Sequence, residues 1–202
     1  MSKFAYCHFL APSVTVKRGN VDPKPDADLP KIGQPDGTAD KEQNPDYKSS
    51  AGWFRVLQWY YSSAANVDVS AGVSVGNVTS TELTILKYHG ENSSVAYRAM
   101  FNRSPFDIEI HVSERLGQGQ NKMNTKMIFR GCVFQHVASA TGHPLLTLQG
   151  GTNTGGGSKG TALDYTSDSD TKELDIYKIV YQKLDLNTFG KETHCSLQGQ
   201  TT

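Results

Sequence analysis

A strict alternation of apolar and polar residues at positions 106–113 constrains the fold of this chain more than any other feature of its sequence. The apolar positions are Phe106, Ile108, Ile110 and Val112, and the polar positions between them are Asp107, Glu109, His111 and Ser113. Successive side chains of a β-strand point to opposite faces, so this period of two predicts a strand with one buried face. Such a strand is stable only within a sheet, which the rest of the chain must supply.

Other segments have the composition of strands. β-branched and aromatic residues are frequent at positions 4–10, 53–61, 82–88, 126–137 and 173–184. Several of these segments are apolar on both faces, which predicts that a second sheet or another subunit covers them. Residues 93–101 are the one predicted helix, which Asn92, Ser93 or Ser94 can cap and which Pro105 limits. We predict a mainly β protein of seven or eight strands, a two-sheet β-barrel or β-sandwich with one short flanking helix and long loops.

Two long irregular stretches separate the predicted strands. The first, at positions 19–50, is rich in proline and carries seven acidic residues and three lysines between Asp22 and Asp46. The second, at positions 140–171, is rich in Gly and Ser. Long loops inside a domain are uncommon and are usually functional or disordered. We expect a single domain over residues 1–202, with the acidic loop disordered or loosely ordered on its surface, and a binding tail is the alternative for this loop.

The charge balance excludes several classes of partner. The chain has 20 Lys plus Arg and 20 Asp plus Glu, whereas binding to nucleic acid or to an anionic membrane favours an excess of basic residues. No apolar run approaches the ~20 residues of a membrane-spanning helix, and the first residues do not resemble a signal peptide. The three cysteines, Cys7, Cys132 and Cys195, suit a reducing compartment and are expected to be buried thiols. We therefore expect the protein to begin in the cytoplasm.

No motif predicts a catalytic, cofactor or metal site. Gly155, Gly157 and Gly160 match a dinucleotide-binding pattern, but the residues after them cannot form the helix that such a site requires. The adjacent Cys and His residues lack the spacing of zinc ligands. The exposed face of a strand explains the carboxylates of Asp107 and Glu109 without a glycosidase site. We expect no enzyme activity, and a hydrolase with a dispersed site is an alternative.

Aromatic residues are concentrated at positions 53–61. We predict that Trp53, Trp59 and Tyr61 pack in the core or in an interface. The same rings could instead form a stacking platform for a sugar. Aromatic side chains on both faces of one strand are hard to use for a single ligand, which favours packing. A monomeric β-sandwich that binds a glycan is the second alternative.

Three blocks of the sequence resemble a known family. Residues 52–61, Gly-Trp-Phe-Arg-Val-Leu-Gln-Trp-Tyr-Tyr, are similar to a strand of the haemolysin-coregulated protein (Hcp) family, the tube subunit of bacterial type VI secretion. Residues 83–88 and the helix after them resemble the family's Leu-Thr-x-x-Lys-Tyr strand, Ser-Ser helix cap and aromatic-basic-Ala helix. Residues 134–139 and 174–181 resemble its last long strands. The motif residues are Gly52, Trp53, Val56, Leu57, Trp59, Leu83, Thr84, Lys87, Tyr88, Ser93 and Ser94.

The resemblance implies a structural subunit without catalytic residues or cofactors. Such a subunit forms a six-membered ring, stacks into a hollow tube that a contractile sheath expels, and leaves the cell without a signal peptide. The sheath, the spike and effector proteins in the lumen are the implied partners. Residues 66–80 resemble the family's extended loop, and the candidate stacking residues there are Asn66, Val67, Asp68, Val69, Gly72 and Gly76. The long loops, and Val95 and Met100 where the family often has Pro and Cys, indicate a divergent member.

Overall fold

The computed structural model describes residues 3–14, 23–31, 53–65, 78–90, 93–115, 121–142, 146–148, 161–163 and 172–196. These residues form eleven strands, one α-helix and one short 3-10 helix. The strands are β1 (Lys3–Leu10), β2 (Trp53–Val56), β3 (Gln58–Ala65), β4 (Val78–Tyr88), β5 (Phe106–Arg115), β6 (Asn121–Gly142), β7 (Leu146–Leu148), β8 (Thr161–Leu163), β9 (Lys172–Val180), β10 (Lys183–Thr188) and β11 (Lys191–Ser196). The α-helix, α1, is Ser93–Phe101, and the 3-10 helix is Leu29–Lys31.

The long strand β6 belongs to two antiparallel sheets. Its first half pairs with β5 on one side and β10 on the other, which gives a six-stranded sheet in the order β2-β1-β5-β6-β10-β11. Its second half pairs with β9 and continues to β4 and β3. Strands β7 and β8 form a separate two-stranded sheet. The two main sheets are therefore hydrogen-bonded into one continuous surface through β6, which passes from one sheet into the other.

Gly131 lies where β6 passes from one sheet into the other. Its φ of 63° falls in the left-handed region, which side chains other than glycine adopt at a cost. A Cβ at this position would lie 2.9 Å from Val14 Cγ2 and 3.0 Å from Gln182 Cδ. The Gly131 amide also donates to Asp107 Oδ1 at 2.9 Å. The bend in β6 thus requires a glycine for its backbone conformation and for space.

The first and last strands of the hydrogen-bonded path are adjacent in the amino-acid sequence. Strands β2 and β3, at opposite ends of the hydrogen-bonded path, are separated by Leu57 alone. The Leu57 amide donates to the Leu86 carbonyl at 2.8 Å, which fixes this corner. In the described residues no ladder joins β2 to β3. The predicted mainly β fold is confirmed, but the sheet does not close into a barrel.

An aromatic core fills the space between the two sheets. The Phe9 ring lies 5.2 Å from Phe54, 5.3 Å from Phe106 and 5.8 Å from Phe134, measured between centroids. Burying one such side chain contributes about 2 kcal/mol to stability. The helix α1 covers part of this core with Ala96 and Ala99, both fully buried.

The helix ends in a Schellman motif. The Ser104 amide donates to the Ala99 carbonyl at 2.9 Å, and the Arg103 amide donates to the Met100 carbonyl at 3.1 Å. Arg103 has a φ of 52°, the left-handed conformation that this motif demands. Pro105 comes directly after Ser104, so the helix ends before this proline, as predicted from the sequence.

Some predicted boundaries were wrong. The predicted strand at 106–113, with its buried Phe106, Ile108 and Ile110, and the helix at 93–101 are confirmed. The described residues contain eleven strands instead of seven or eight, because β10 and β11 form a polar hairpin without a strong apolar pattern. Strand β4 begins at Val78, inside the loop predicted at 66–80. The end of β6 and the strands β7 and β8 lie inside the loop predicted at 140–171.

Part of the acidic stretch packs against the fold. In residues 23–31, Leu29 is fully buried in the main core, and the Pro30 carbonyl lies 3.3 Å from His8 Nε2. Arg98 on α1 donates to both carboxylate oxygens of Asp26 at 2.8 Å and to Asp28 at 2.7 Å. This part of the predicted loop is therefore ordered. The described residues include no helix that is long and apolar enough to cross a membrane.

Candidate functional site

The Asp175 carboxylate is the centre of a buried polar cluster that joins α1 to the second sheet. Lys87, at the end of β4, and Asp175, on β9, face each other in the ladder between these strands. The Lys87 ammonium lies 3.1 Å from Asp175 Oδ2, and both side chains are almost completely enclosed. The Lys87 ammonium also donates to the Tyr88 carbonyl at 2.5 Å. Two of these positions, Lys87 and Tyr88, are motif residues that the sequence singled out.

Five side chains donate to or lie against Asp175. Ser93 and Tyr177 bond to Oδ2 together with Lys87, and the Tyr177 hydroxyl does so at 3.1 Å. Ser139 donates to Oδ1 at 2.7 Å, and His89 Nδ1 lies 2.8 Å from the same oxygen. Burial alone would raise the pKa of Asp175, but the hydrogen bonds from Ser139 and Ser93 and the charge of Lys87 lower it overall. The carboxylate therefore stays ionised.

Ser93 connects this cluster to the start of the helix. Its hydroxyl accepts the Gly90 amide at 3.1 Å and donates to Asp175, while its own amide donates to the Gly90 carbonyl at 3.0 Å. A hydroxyl in this position satisfies a backbone group that would otherwise be unpaired at the helix end. Ser94, the other serine of the motif, is exposed. The cluster thus fixes where α1 begins.

Ser139, His89 and Asp175 are the residue types of a hydrolase triad, but their arrangement differs. In a triad the histidine lies between the carboxylate and the serine, and one ring nitrogen bonds to the carboxylate while the other bonds to the serine hydroxyl. Here His89 Nδ1 is the nitrogen nearest to both Asp175, at 2.8 Å, and Ser139, at 3.4 Å. Ser139 itself donates to Asp175. This geometry does not activate Ser139 as a nucleophile.

The surface beside this cluster offers no enclosed binding site. His89, Ser139, Ala140 and Glu173 line an open depression of about 460 Å³. Small-molecule sites usually bury most of their ligand among apolar side chains, which this depression lacks. Among the described residues, no group of three or more His, Cys, Asp or Glu side chains is placed to hold a metal ion.

Charged residues cover the outer face of the six-stranded sheet. Glu109 Oε1 lies 2.6 Å from His111 Nε2 and 2.7 Å from Lys126 Nζ. The hydrogen bond from His111 is the main reason that the pKa of Glu109 falls to about 2. On the other side of β6, Asp185 lies 2.6 Å from Arg130 Nε and 2.8 Å from His194 Nδ1. Each carboxylate is thus held between a basic side chain and a histidine.

Asp107 differs from the sequence-based expectation. It is almost fully buried rather than exposed, and it accepts the Ser13 hydroxyl, the Ser13 amide at 3.0 Å and the Gly131 amide at 2.9 Å. Strand alternation alone assigned Asp107 to a solvated face, but residues 11–14 pack over that face near the bend in β6. Asp107 and Glu109 thus both have structural partners.

Trp53 lies on the outer face of the six-stranded sheet rather than in the main core. It packs against Tyr6 in a small separate cluster. Its ring centroid is 4.6 Å from that of His111 and 5.2 Å from that of His8. The Trp53 ring therefore packs against aromatic rings of its own sheet. Trp59 packs against the main core, and Tyr61, partly exposed, contacts Phe129 at 5.8 Å between ring centroids.

The other motif residues divide between two cores. Val56 and Leu83 lie in the main core, and Thr84 is buried and donates to Glu82 Oε1 at 3.1 Å. Leu57 and Tyr88 pack on the outer face of the second sheet against Leu86, Leu174 and Ile176, which are buried within the single chain. Other parts of the same chain already cover this apolar face. Gly52 and the candidate stacking residues Asn66, Val67, Asp68, Val69, Gly72 and Gly76 lie outside the described residues.

Three strands of the main sheets, β2, β3 and β11, pair with a neighbour on one side alone in the described part of the chain. Strand β3 carries the partly exposed Tyr60 and Tyr61. Residues 191–195 of β11 are all exposed. The buried Nε1 of Trp59 on β3 also has no hydrogen-bond acceptor. Cys195 on β11 is exposed, unlike Cys7 and Cys132, so the expectation of three buried thiols was wrong for one of them.

Sequence reasoning missed most of the polar cluster. Asp175, Ser139 and His89 come from three separate segments, and only the β4–β9 and β6–β9 ladders bring them together. A charged residue within the apolar pattern of residues 174–180 was the available signal, because a buried carboxylate requires partners.

Comparisons with known proteins identify the fold. No protein-family model and no curated protein matches the sequence. A crystal structure of an Hcp protein is 10% identical with a TM-score of 0.58, and the alignment covers 98% of this chain and 100% of that one. Hcp1 from E. coli EAEC 042 is 12% identical with a TM-score of 0.55, over 96% and 99% of the two chains. Hcp1 from Salmonella typhimurium is 8% identical with a TM-score of 0.50, over 96% and 92%. These likenesses show that this chain has the Hcp fold.

Proposed function

We propose that this protein is a ring-forming subunit of a type VI secretion tail tube. The supporting observation is the likeness to Hcp structures over nearly the full length of both chains. A structural role also agrees with the polar cluster at Asp175, whose side chains are used to hold α1 against the second sheet. The ring is a hexamer in this proposal, as the resemblance implies.

Two of the three edge strands, β3 and β11, favour a head-to-tail ring contact. An edge strand presents unpaired amides and carbonyls that readily pair with another chain. Because β3 and β11 are different edges of one subunit, pairing β11 of one copy with β3 of the next uses each edge once. Such a heterologous contact closes into a ring when its rotation divides a full turn. The apolar face at Leu86 and Leu174 is not needed for this contact, because it is covered within the subunit.

The remaining features of the tube follow from the same proposal. The candidate stacking residues Asn66, Val67, Asp68, Val69, Gly72 and Gly76 contribute to stacking between rings in this proposal. A contractile sheath surrounds and expels the tube. Effector proteins occupy the lumen, and the spike caps the tube. The subunit is made in the cytoplasm and leaves the cell by type VI export without a signal peptide.

Negative-stain electron microscopy tests the ring. We expect the purified protein to form rings with a central opening. Tyr60→Lys places a charge on the exposed side of β3, and we expect it to abolish the rings while the fold is retained in circular dichroism. Gln135→Lys places the same charge at an exposed position of β6, away from β3 and β11, and should leave the rings intact. Dispersed particles without rings in the wild-type protein would contradict the proposal.

A further inference from the structure

Strands β9 and β10 run along the same side of β6 as one interrupted strand. Val180, at the end of β9, pairs with Val133, and Lys183, at the start of β10, pairs with Arg130. Both strands advance by three residues between these two pairs, so the register is continuous across the gap. The gap in the interrupted strand lies beside the bend of β6, and its first residue is Tyr181.

The hydrogen-bonded surface divides at this gap. From β9 the ladders lead to β4 and then to β3, which we call the β3 branch. From β10 the ladder leads to β11, which we call the β11 branch. In the described part of the chain no ladder joins β3 or β4 to β10 or β11. The orientation of β3 relative to β11 therefore depends on the bend of β6 and on the side chains packed where the branches separate.

Tyr181 is bonded to both strands of the β3 branch. Its hydroxyl donates to the Ser62 carbonyl at 3.1 Å and lies 3.1 Å from Ser63 Oγ. Burial is the main reason that the pKa of Tyr181 is raised, so the hydroxyl keeps its proton. Because that one proton is donated to Ser62, the Ser63 hydroxyl is the donor in the second bond. The Tyr181 amide donates to Thr81 Oγ1 on β4 at 3.2 Å, and the Tyr181 carbonyl accepts the Thr81 hydroxyl.

The ring of Tyr181 contacts the other branch. The side chain is buried, and its ring centroid lies 5.0 Å from that of Phe129 on β6, edge to face. Phe129 pairs across the ladder with Leu184 of β10, and Leu184 pairs with Cys195 of β11. Tyr61 of β3 lies 5.8 Å from the same Phe129 ring. Tyr181 thus bonds to the β3 branch through its hydroxyl and packs against the β11 branch through its ring.

We propose that Tyr181 is a positioning residue that sets the angle between β3 and β11 within one subunit, and thereby the number of subunits in the ring. This inference rests on the proposed ring, in which β11 of one copy pairs with β3 of the next. A ring of six requires a rotation of about 60° at each contact, whereas about 51° gives a ring of seven. A change of about 10° between the two strands is therefore enough to alter the closure.

Tyr181→Phe keeps the aromatic ring and removes the hydroxyl. We expect the variant to fold, with a melting temperature lowered by about 2–4 °C. Native mass spectrometry counts the chains in each particle, and the wild type should show one ring size. The variant should show several sizes or open assemblies, with the ratio of six-chain rings to other assemblies reduced about fivefold or more. A residue needed for stability alone would change the melting temperature without changing the number of chains.

Two further variants test the assignment of this effect to the hydroxyl. Ser63→Ala removes one of its two bonds and should give a smaller spread of ring sizes. The double variant should match Tyr181→Phe, because both changes act on the same hydroxyl. Tyr97→Phe is the matched control, since the Tyr97 hydroxyl donates to Ser139 Oγ at 3.3 Å, away from β3 and β11. This control should keep the ring size of the wild type.

An unchanged ring size in folded Tyr181→Phe would overturn the inference and leave the ring proposal standing. If circular dichroism shows that this variant does not fold, the Ser63→Ala variant decides the question. Several ring sizes in Ser63→Ala would then support the inference, and a single wild-type size would refute it. Wild-type protein that forms no rings would instead refute the proposed function on which the inference rests.

Discussion

The Lys87 ammonium and the Asp175 carboxylate lie 3.1 Å apart in a pocket that excludes nearly all solvent. Removing water from two charges is costly, and the attraction between them offsets that cost only when further hydrogen bonds complete the site. Asp175 receives such bonds from Ser93, Ser139 and Tyr177. The start of α1 is thereby tied to β4, β6 and β9 at a single carboxylate.

Lys87→Met should therefore be strongly destabilising. The variant leaves the buried Asp175 charge without its ammonium partner, and we expect a loss of about 3–5 kcal/mol in the free energy of unfolding. Urea titration followed by circular dichroism measures this loss. Lys183→Met, at an exposed lysine of β10, is the matched control and should change stability by less than about 0.5 kcal/mol. Equal stability of the two variants would mean that the pair is not structural.

Glu109 should make the fold sensitive to acid. Its pKa falls from 4.5 to about 2 in the folded protein, so the unfolded chain takes up this proton at a higher pH than the native state. Stability from this group is complete above about pH 4.5 and is lost as the pH falls toward 2. Glu109→Gln should therefore show a shallower decline of unfolding free energy between pH 5 and pH 3, measured by urea titration at each pH. An unchanged slope would contradict this assignment.

Gly131→Ala should weaken the bend in β6. The substitution introduces a Cβ in a left-handed conformation and within 2.9 Å of Val14, and we expect a loss of about 2–4 kcal/mol. Gly190→Ala is the control, because Gly190 has a φ of 82° but no atom within 4 Å of its added Cβ. Its cost should be limited to the backbone term of about 1 kcal/mol. If both variants melt at the same temperature, steric crowding at the bend does not contribute to the cost of Gly131→Ala.

Arg103→Gly should stabilise the protein. Arg103 occupies the left-handed position of the Schellman motif with a φ of 52°, where glycine is the preferred residue. We expect a gain of about 0.5–1 kcal/mol, visible as a higher melting temperature. Arg98→Gly, in the middle of the same helix, should lower it, because glycine is unfavourable there and the bonds to Asp26 and Asp28 are lost. A lower melting temperature for Arg103→Gly would show that the arginine side chain has a stabilising contact.

Local sequence patterns predicted the elements whose signals lie within one segment. The alternation of Phe106, Ile108 and Ile110 predicted the position of β5. The capping serines and Pro105 predicted the position of α1. The bend in β6 was not predicted, because Gly131 sits inside a continuous strand pattern and its need for glycine arises from contact with Val14 and Gln182. A glycine in a strand signals such a bend only when its neighbours in space are known.

The polar cluster was beyond prediction for a similar reason. Lys87 and Ser93 were recognised from a motif, but their common partner Asp175 is 82 or more residues away in the chain. The resemblance of residues 52–61 and 83–99 identified the fold correctly although the overall identity to Hcp structures is only 8–12%.

The molar mass of the purified protein in solution tests the central claim most directly. Multi-angle light scattering after size exclusion should give a mass of about six chains of 22.1 kDa, and this mass should persist on dilution. A mass of 22.1 kDa at every concentration, with a cooperative unfolding transition that shows an intact fold, would contradict the account of this protein as a subunit of a tube.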